Sequence, residues 1–253
     1  MLKQIPNIVT LLNLFFGCMA IVAAVQPGLT IITGSDGEQL VALPEKIWLA
    51  AIFIGIAAVI DFLDGFVARL MNASSEMGKQ LDSLADVVSF GVAPAMIAYQ
   101  FLRLSYAQQE DGLDISMGYL LPVFILPCAA AYRLGRFNLD TTQQFGFKGL
   151  PVPAAGLMIA SFPLIYWFSG SAALVALFLN KWLWYGVILL LSGLMVSTLP
   201  LMAFKFKDYT VANNWPKYLV VLIAILGGIF LQWLAIPLVI IAYVVLSLAL
   251  KQA

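Results

Sequence analysis

The stretch from Asp61 to Val88 reads "DFLDGFVARLMNASSEMGKQLDSLADVV". It holds four aspartates, Asp61, Asp64, Asp82 and Asp86, between the apolar flanks "LAAIFIGIAAVI" and "SFGVAPAMIAY". A charged side chain in the hydrocarbon core of a membrane costs roughly 2.5–3.5 kcal/mol on insertion scales. The meaning of the stretch therefore depends on what surrounds it and on how its acids are spaced.

The surroundings are those of a membrane protein. Of 253 residues, 62% are hydrophobic and only 10% are charged, whereas a soluble domain is about half apolar and a quarter charged. Apolar runs of about 20 residues, the length needed to cross a bilayer, recur along the whole chain. Eight candidate spans fall at about 7–26, 46–71, 83–104, 117–138, 152–169, 182–204, 216–232 and 234–250. The last two are joined by "QWLA" and read as a tight helical hairpin, and "SGSAALVALFLN" reads as an extension of the fifth. This predicts an all-α, polytopic helical bundle forming one membrane-embedded domain over 1–253. A membrane β-barrel would show short alternating segments instead.

Composition also excludes some chemistry. The net charge is zero, so there is no electrostatic case for nucleic acid. Histidine is absent, which removes imidazole acid–base catalysis and imidazole metal ligands. Cys18 and Cys128 lie in separate apolar segments and read as small core residues. Trp182, Trp184, Trp215 and Trp233 lie near span ends and read as interface anchors. The start of the chain, with Asn7, Thr10 and Asn13 interrupting its apolar run, reads as an uncleaved first span.

Basic residues orient the bundle. With the N-terminus in the cytoplasm, that side holds Lys3, Arg69, Lys79, Arg133, Arg136, Lys148, Lys205, Lys207, Lys217 and Lys251, and the other side only Lys46, Arg103 and Lys181. The aspartate-rich turn then lies at the cytoplasmic face of the membrane.

At 100° per residue, Asp61, Asp64, Gly65, Ala68 and Arg69 share an arc of about 140° on the second span. Asp82 and Asp86 share a face of the third, which is expected to begin near Gly78 or Gln80. A hairpin that joins these faces gathers four carboxylates, which cannot all stay ionised together without a cation. Oxygen-only ligands select hard divalent ions, magnesium, manganese or calcium. Four are enough to bridge two such ions, an arrangement suited to displacement at phosphorus. Arg69 is a fork that fits a phosphate. Taken alone, these residues suggest a metal-assisted phosphoryl transferase. A carboxylate-lined ion transporter is the rival reading.

The spacing D-x-x-D-G-x-x-A-R, eight residues, then G-x-x-x-D-x-x-x-D is complete here as Asp61, Asp64, Gly65, Ala68, Arg69, Gly78, Asp82 and Asp86. It resembles the signature of the CDP-alcohol phosphotransferase family. The resemblance implies a six-helix membrane core, two divalent cations (Mg2+ or Mn2+, with Ca2+ able to occupy the site) and a CDP-linked donor. It implies Asp61, Asp64 and Asp82 as metal ligands and Asp86 as the base and a further ligand. Gly65, Ala68, Arg69 and Gly78 would line the nucleotide pocket.

Further segments, "IPNIVTLLNL", "SLADVVSFGVAPA", "AAYRLGRFNLD", "FKGLPVPAAG" and "LMVSTLP", are similar to the bacterial branch of that family that joins CDP-diacylglycerol to L-serine. This resemblance extends to about Lys207, giving a catalytic core of about 1–207 and an added helical pair at about 216–250. It implies a bacterial inner-membrane enzyme that makes phosphatidylserine and CMP at the cytoplasmic face, commonly as a homodimer among membrane lipids. Direct attack by serine ranks ahead of a phosphatidyl-aspartate intermediate. Glycerol 3-phosphate or an inositol compound is the alternative acceptor. Asn7 and Thr10 are expected to meet the donor. Ser89, seven residues after Asp82, is expected to meet the acceptor, with Arg133, Arg136 and Lys148 forming a cationic wall for carboxylate or phosphate. Pro151 and Pro153 are expected to shape the mouth of the site.

Overall fold

The computed structural model describes residues 5–26, 28–33, 39–71, 75–109, 112–140, 146–202 and 210–249. Lys3, Lys205, Lys207 and Lys251, which entered the orientation argument, lie outside the described residues, as does the turn at 72–74.

The first apolar run forms α1 (Ile5–Val25). A two-stranded antiparallel ribbon follows, β1 (Thr30–Thr33) with β2 (Gln39–Ala42). The second run forms α2 (Trp48–Leu70). Helix α3 (Glu76–Asp86) passes through a π-helical turn at Val87–Val92 into α4 (Ala93–Ala107), making one continuous helical rod over Glu76–Ala107 that is polar at its start and apolar beyond. Then come α5 (Ile125–Leu139), β3 (Gly146–Lys148), α6 (Val152–Phe168), α7 (Ala172–Phe178) and α8 (Lys181–Val196). The chain ends in β4 (Pro200–Met202), α9 (Val211–Leu231) and α10 (Ala235–Ala249).

The eight expected spans each coincide with a helical segment, but they are not equally long. Among the described residues, four helical stretches, in α1, α2, the α3–α4 rod and 214–249, are long and apolar enough to cross a membrane, and the bent pair α7–α8 makes a fifth if it acts as one span. Helix α7 does not extend α6; it is a separate piece that meets α8 at 69°. At Gln232 the backbone takes φ 50°, ψ −120°, and the chain reverses so tightly that a Cβ on Gly227 would lie 3.1 Å from that of Ala235. The expected hairpin forms there.

The bundle is solvated by lipid, so its outer face is apolar: Val59, Phe62 and Phe66 on α2 are exposed. Both cysteines are exposed too, a correction to their expected place in the core. Lipid is as apolar as the core, so small apolar side chains are tolerated on either face. Trp184 is likewise no interface anchor. It is fully buried, stacked on Phe101 with centroids 4.8 Å apart, and its indole N–H donates to the Phe178 carbonyl at 2.8 Å. Between lipid-bathed helices such packing, rather than water exclusion, favours association, with aromatic pairs contributing about 0.5–1.5 kcal/mol each. Trp182, Trp215 and Trp233 are exposed as expected.

Two polar clamps organise the irregular segments. Helix α8 ends with orphan carbonyls, as every helix does. Arg136 donates to the carbonyls of Val196 and Ser197, both at 2.7 Å, and to that of Lys148 at 3.3 Å. The Leu150 N–H donates to Leu194 at 2.9 Å. Gly149 makes this approach possible: its φ is +77°, and a Cβ there would lie within 2.9 Å of three α8-terminal carbonyl oxygens. The second clamp comes from α10. Tyr243 donates to the Met202 carbonyl at 2.8 Å and Ser247 accepts from the Met202 N–H at 3.3 Å. This pins β4, which pairs with β3 in the register Gly146↔Met202 and Lys148↔Pro200.

Candidate active site

Helix α2 carries Asp61 and Asp64 on its last turns, followed by Gly65, Ala68 and Arg69. Helix α3 starts at Glu76, slightly earlier than expected, because Ser75 caps it by accepting from the Gly78 N–H at 3.0 Å. A serine in that place satisfies one of the orphan donors of a helix start. The remainder of α3 sets Asp82 and Asp86 one turn apart, facing α2.

The two faces meet as the spacing requires. Asp61, Asp64 and Asp82 each offer a carboxylate oxygen, and these lie within 4.8 Å of one another. Three hard oxygen donors at that separation fit a divalent metal ion. Asp86 lies close enough to Asp61 and Asp82 for their charges to interact, but it stands outside this three-oxygen set. It is 6% exposed, as is Asp64.

Helix α1 supplies the groups that orient these acids. Thr10, buried, donates its hydroxyl to Asp64 Oδ2 at 2.6 Å. The Pro6 carbonyl is also in reach at 3.1 Å, but the single proton favours the shorter, charge-assisted contact. Asn13 Nδ2 donates to Asp86 Oδ1 at 3.3 Å. Periodicity alone marked Asn13 only as an interruption of an apolar run; a fully buried amide on a membrane helix was the available signal.

Beside the acids lies a cavity of about 570 Å3 lined by Asn7, Thr10, Asp64, Gly65, Ala68, Arg69, Gly78 and Asp82, all expected, and by Pro6, Ser75, Glu76 and Lys79. A side chain at Gly65 would meet Arg69 Nη1 at 3.7 Å, an ordinary contact. The protein's own packing therefore does not demand glycine there, and the space it leaves belongs to the cavity. Gly78 is closer set, since a Cβ would lie 3.0 Å from Asn7 Oδ1. Two cations, Arg69 and Lys79, face the cavity with the start of α3, a combination that attracts phosphate.

Ser89, Arg133, Arg136 and Lys148 are not among the described residues lining this cavity. Ser89 is fully buried and donates to the Asn13 carbonyl at 3.0 Å. The π-helical turn shifts the 100° phase by which it was expected to follow Asp82. Arg136 is committed to the end of α8, as described above. Lys148 forms an ion pair with Asp140 at 2.7 Å. Arg133 is buried over the Phe137 ring at 5.5 Å and within electrostatic reach of Asp86. Of the four, it is the one placed near the acids. Pro151 and Pro153 sit at the start of α6 and are likewise absent from the lining.

The family described as CDP-alcohol phosphatidyltransferase matches residues 3–182. The chain is 32% identical over 206 residues to the CDP-diacylglycerol–serine O-phosphatidyltransferase of Helicobacter pylori, covering 79% of this chain and 72% of that protein. It is 36% identical over 130 residues to the protein of the same description from Bacillus subtilis, covering 49% and 65%. It is 36% identical over 149 residues to an archaetidylserine synthase of Methanothermobacter thermautotrophicus, covering 57% and 60%. The matches to the last two thus span less than two thirds of those relatives' length.

Proposed function

Because the chain belongs to the CDP-alcohol phosphatidyltransferase family, we propose that it transfers a phosphatidyl group from CDP-diacylglycerol to the hydroxyl of L-serine, giving phosphatidylserine and CMP. The observation that carries this reading is the convergence of Asp61, Asp64 and Asp82 within 4.8 Å, with Asp86 beside them and a cavity opening next to them. The relatives described as CDP-diacylglycerol–serine O-phosphatidyltransferases support serine as the acceptor.

Asp61, Asp64 and Asp82 would hold divalent cations, Mg2+ or Mn2+. Such ions supply neutralisation of the charge on a phosphate undergoing displacement. Asn7, Gly65, Ala68 and Gly78 bound the part of the cavity that takes the nucleotide. Arg69 and Lys79 offer charge to the diphosphate. Asp86 accepts the proton of the serine hydroxyl. The serine oxygen bonds to the phosphorus that carries the lipid, and the bond from that phosphorus to the CMP oxygen breaks. A buried base suits this task, and such a group contributes typically 100- to 10,000-fold. Arg133 is the candidate for the serine carboxylate. The acyl tails stay in the bilayer that surrounds α2. The same reading places the site at the cytoplasmic face of a bacterial inner membrane and the chain in a homodimer, expectations that rest on the basic-residue bias and on family resemblance.

The test uses the purified full-length protein with CDP-diacylglycerol, Mn2+ or Mg2+, and serine, glycerol 3-phosphate or inositol in turn. Metal-dependent CMP release with serine alone is expected. Release with one of the other acceptors and none with serine would reassign the substrate.

A further inference from the structure

We infer that Asn13, its backbone carbonyl held by Ser89, is a positioning residue for Asp86: its carboxamide N–H fixes which carboxylate oxygen Asp86 turns toward the acceptor. The inference rests on the reading of Asp86 as the base.

Three observations carry it. Asn13 Nδ2 donates to Asp86 Oδ1 at 3.3 Å across 73 residues of sequence, fixing the rotation of a carboxylate that also lies within hydrogen-bond reach of Asp61. The backbone of Asn13 is itself held, because Ser89, three residues beyond Asp86, donates to the Asn13 carbonyl at 3.0 Å. Finally, Asn13 is 0% exposed and its Oδ1 is buried without a hydrogen-bond partner among the described residues. A buried amide satisfied on one side only is a poor structural element; an apolar residue would be cheaper at a helix contact. The half that is satisfied is the half that touches Asp86.

The local backbone supports the same assignment. Asp86 ends α3, and the π-helical turn Val87–Val92 follows it directly. Such turns interrupt helices frequently at functional sites. This one brings Ser89 against α1, where Gly17 leaves no room for a side chain: a Cβ on Gly17 would collide with Ser89 Oγ and lie 2.9 Å from its Cα. Asn13 and Gly17 are one turn apart on α1, so a single helix face grips both the acid and the turn after it.

The experiment compares Asn13→Ala and Asn13→Ser with the parent protein, all purified in detergent. Either variant removes the amide and retains the backbone carbonyl that Ser89 uses. A misplaced catalytic group costs about 100-fold in rate, so kcat should fall about 100-fold. The KM for serine and the binding of CDP-diacylglycerol with Mn2+, read by calorimetry, should move by less than about threefold, as expected when an interaction acts only in the transition state. Thermal midpoints should stay near that of the parent. Unchanged kcat in either variant overturns the inference. So does a joint loss of donor binding and thermal midpoint in both, which would make Asn13 a packing residue. Asp86→Asn is run in parallel, alone and combined with Asn13→Ala. If Asp86→Asn abolishes turnover and Asn13→Ala does not, only the positioning role fails. If Asp86→Asn keeps normal turnover, the base assignment fails, and the positioning role with it.

Discussion

Replacing Thr10 by valine removes one hydroxyl and keeps nearly the same shape. That hydroxyl lies 2.6 Å from Asp64 Oδ2 in a buried contact between α1 and α2. A hydrogen bond to a charged acceptor contributes about 1.5–3 kcal/mol, and partners that orient a metal-binding carboxylate typically alter metal affinity by about 10- to 100-fold. At about 1.4 kcal/mol per factor of ten, the two estimates coincide. Thr10→Val should therefore raise the Mn2+ concentration giving half-maximal CMP release by about 10- to 100-fold. Saturating Mn2+ should restore most of kcat, because Thr10 orients a ligand rather than joining the proton transfer. Direct Mn2+ binding, followed by electron paramagnetic resonance without substrate, should weaken by the same factor. The reasoning is refuted if both Mn2+ curves are unchanged. A raised KM for CDP-diacylglycerol with unaltered metal dependence would instead place Thr10 on the nucleotide, where sequence alone had put it.

Asp86→Asn should abolish CMP release while binding of CDP-diacylglycerol remains measurable by calorimetry; normal turnover would refute its role as base. Arg133→Ala should raise the apparent KM for serine about tenfold, the order expected for one lost charged contact, whereas Arg136→Ala should chiefly lower the thermal midpoint, since its fork serves the end of α8. The reverse pattern in serine titrations and melting curves would exchange their roles. Gly17→Ala forces a methyl group into Ser89 and should cost about 1–3 kcal/mol of stability, visible as a lowered thermal midpoint; an unchanged midpoint would show that α1 and the π-helical turn can separate freely.

The eight apolar segments and the four-aspartate cluster were legible because both rest on local rules. Transfer of apolar residues into lipid depends on composition along a segment. Helical spacing places Asp61 with Asp64, and Asp82 with Asp86, whatever the helices later touch. The errors arise where a local rule was carried past its reach. The step from Asp82 to Ser89 was extrapolated at a constant 100°, and "VVSFGV" gives no sign that it winds as a π-helix. Trp184 differs from Trp182 only in which neighbours it meets, and composition near a span end does not distinguish them. Arg136 was counted with Arg133 because they are three residues apart, yet its partners at Val196 and Ser197 lie 60 and 61 residues away.

Sequence by itself determined that this chain lives in a membrane, that its acids form one oxygen-rich cluster, and which family chemistry that cluster resembles. Tertiary structure decided how the acids divide: three offering oxygens within 4.8 Å of one another, the fourth set back and held by Asn13. The physical reason lies in α1. It is apolar around most of its circumference, so no periodicity announces which of Asn7, Thr10 and Asn13 turns toward which acid. That choice follows from the rotation of α1 against α2 and α3, which close packing fixes across 54 and 73 residues of intervening sequence.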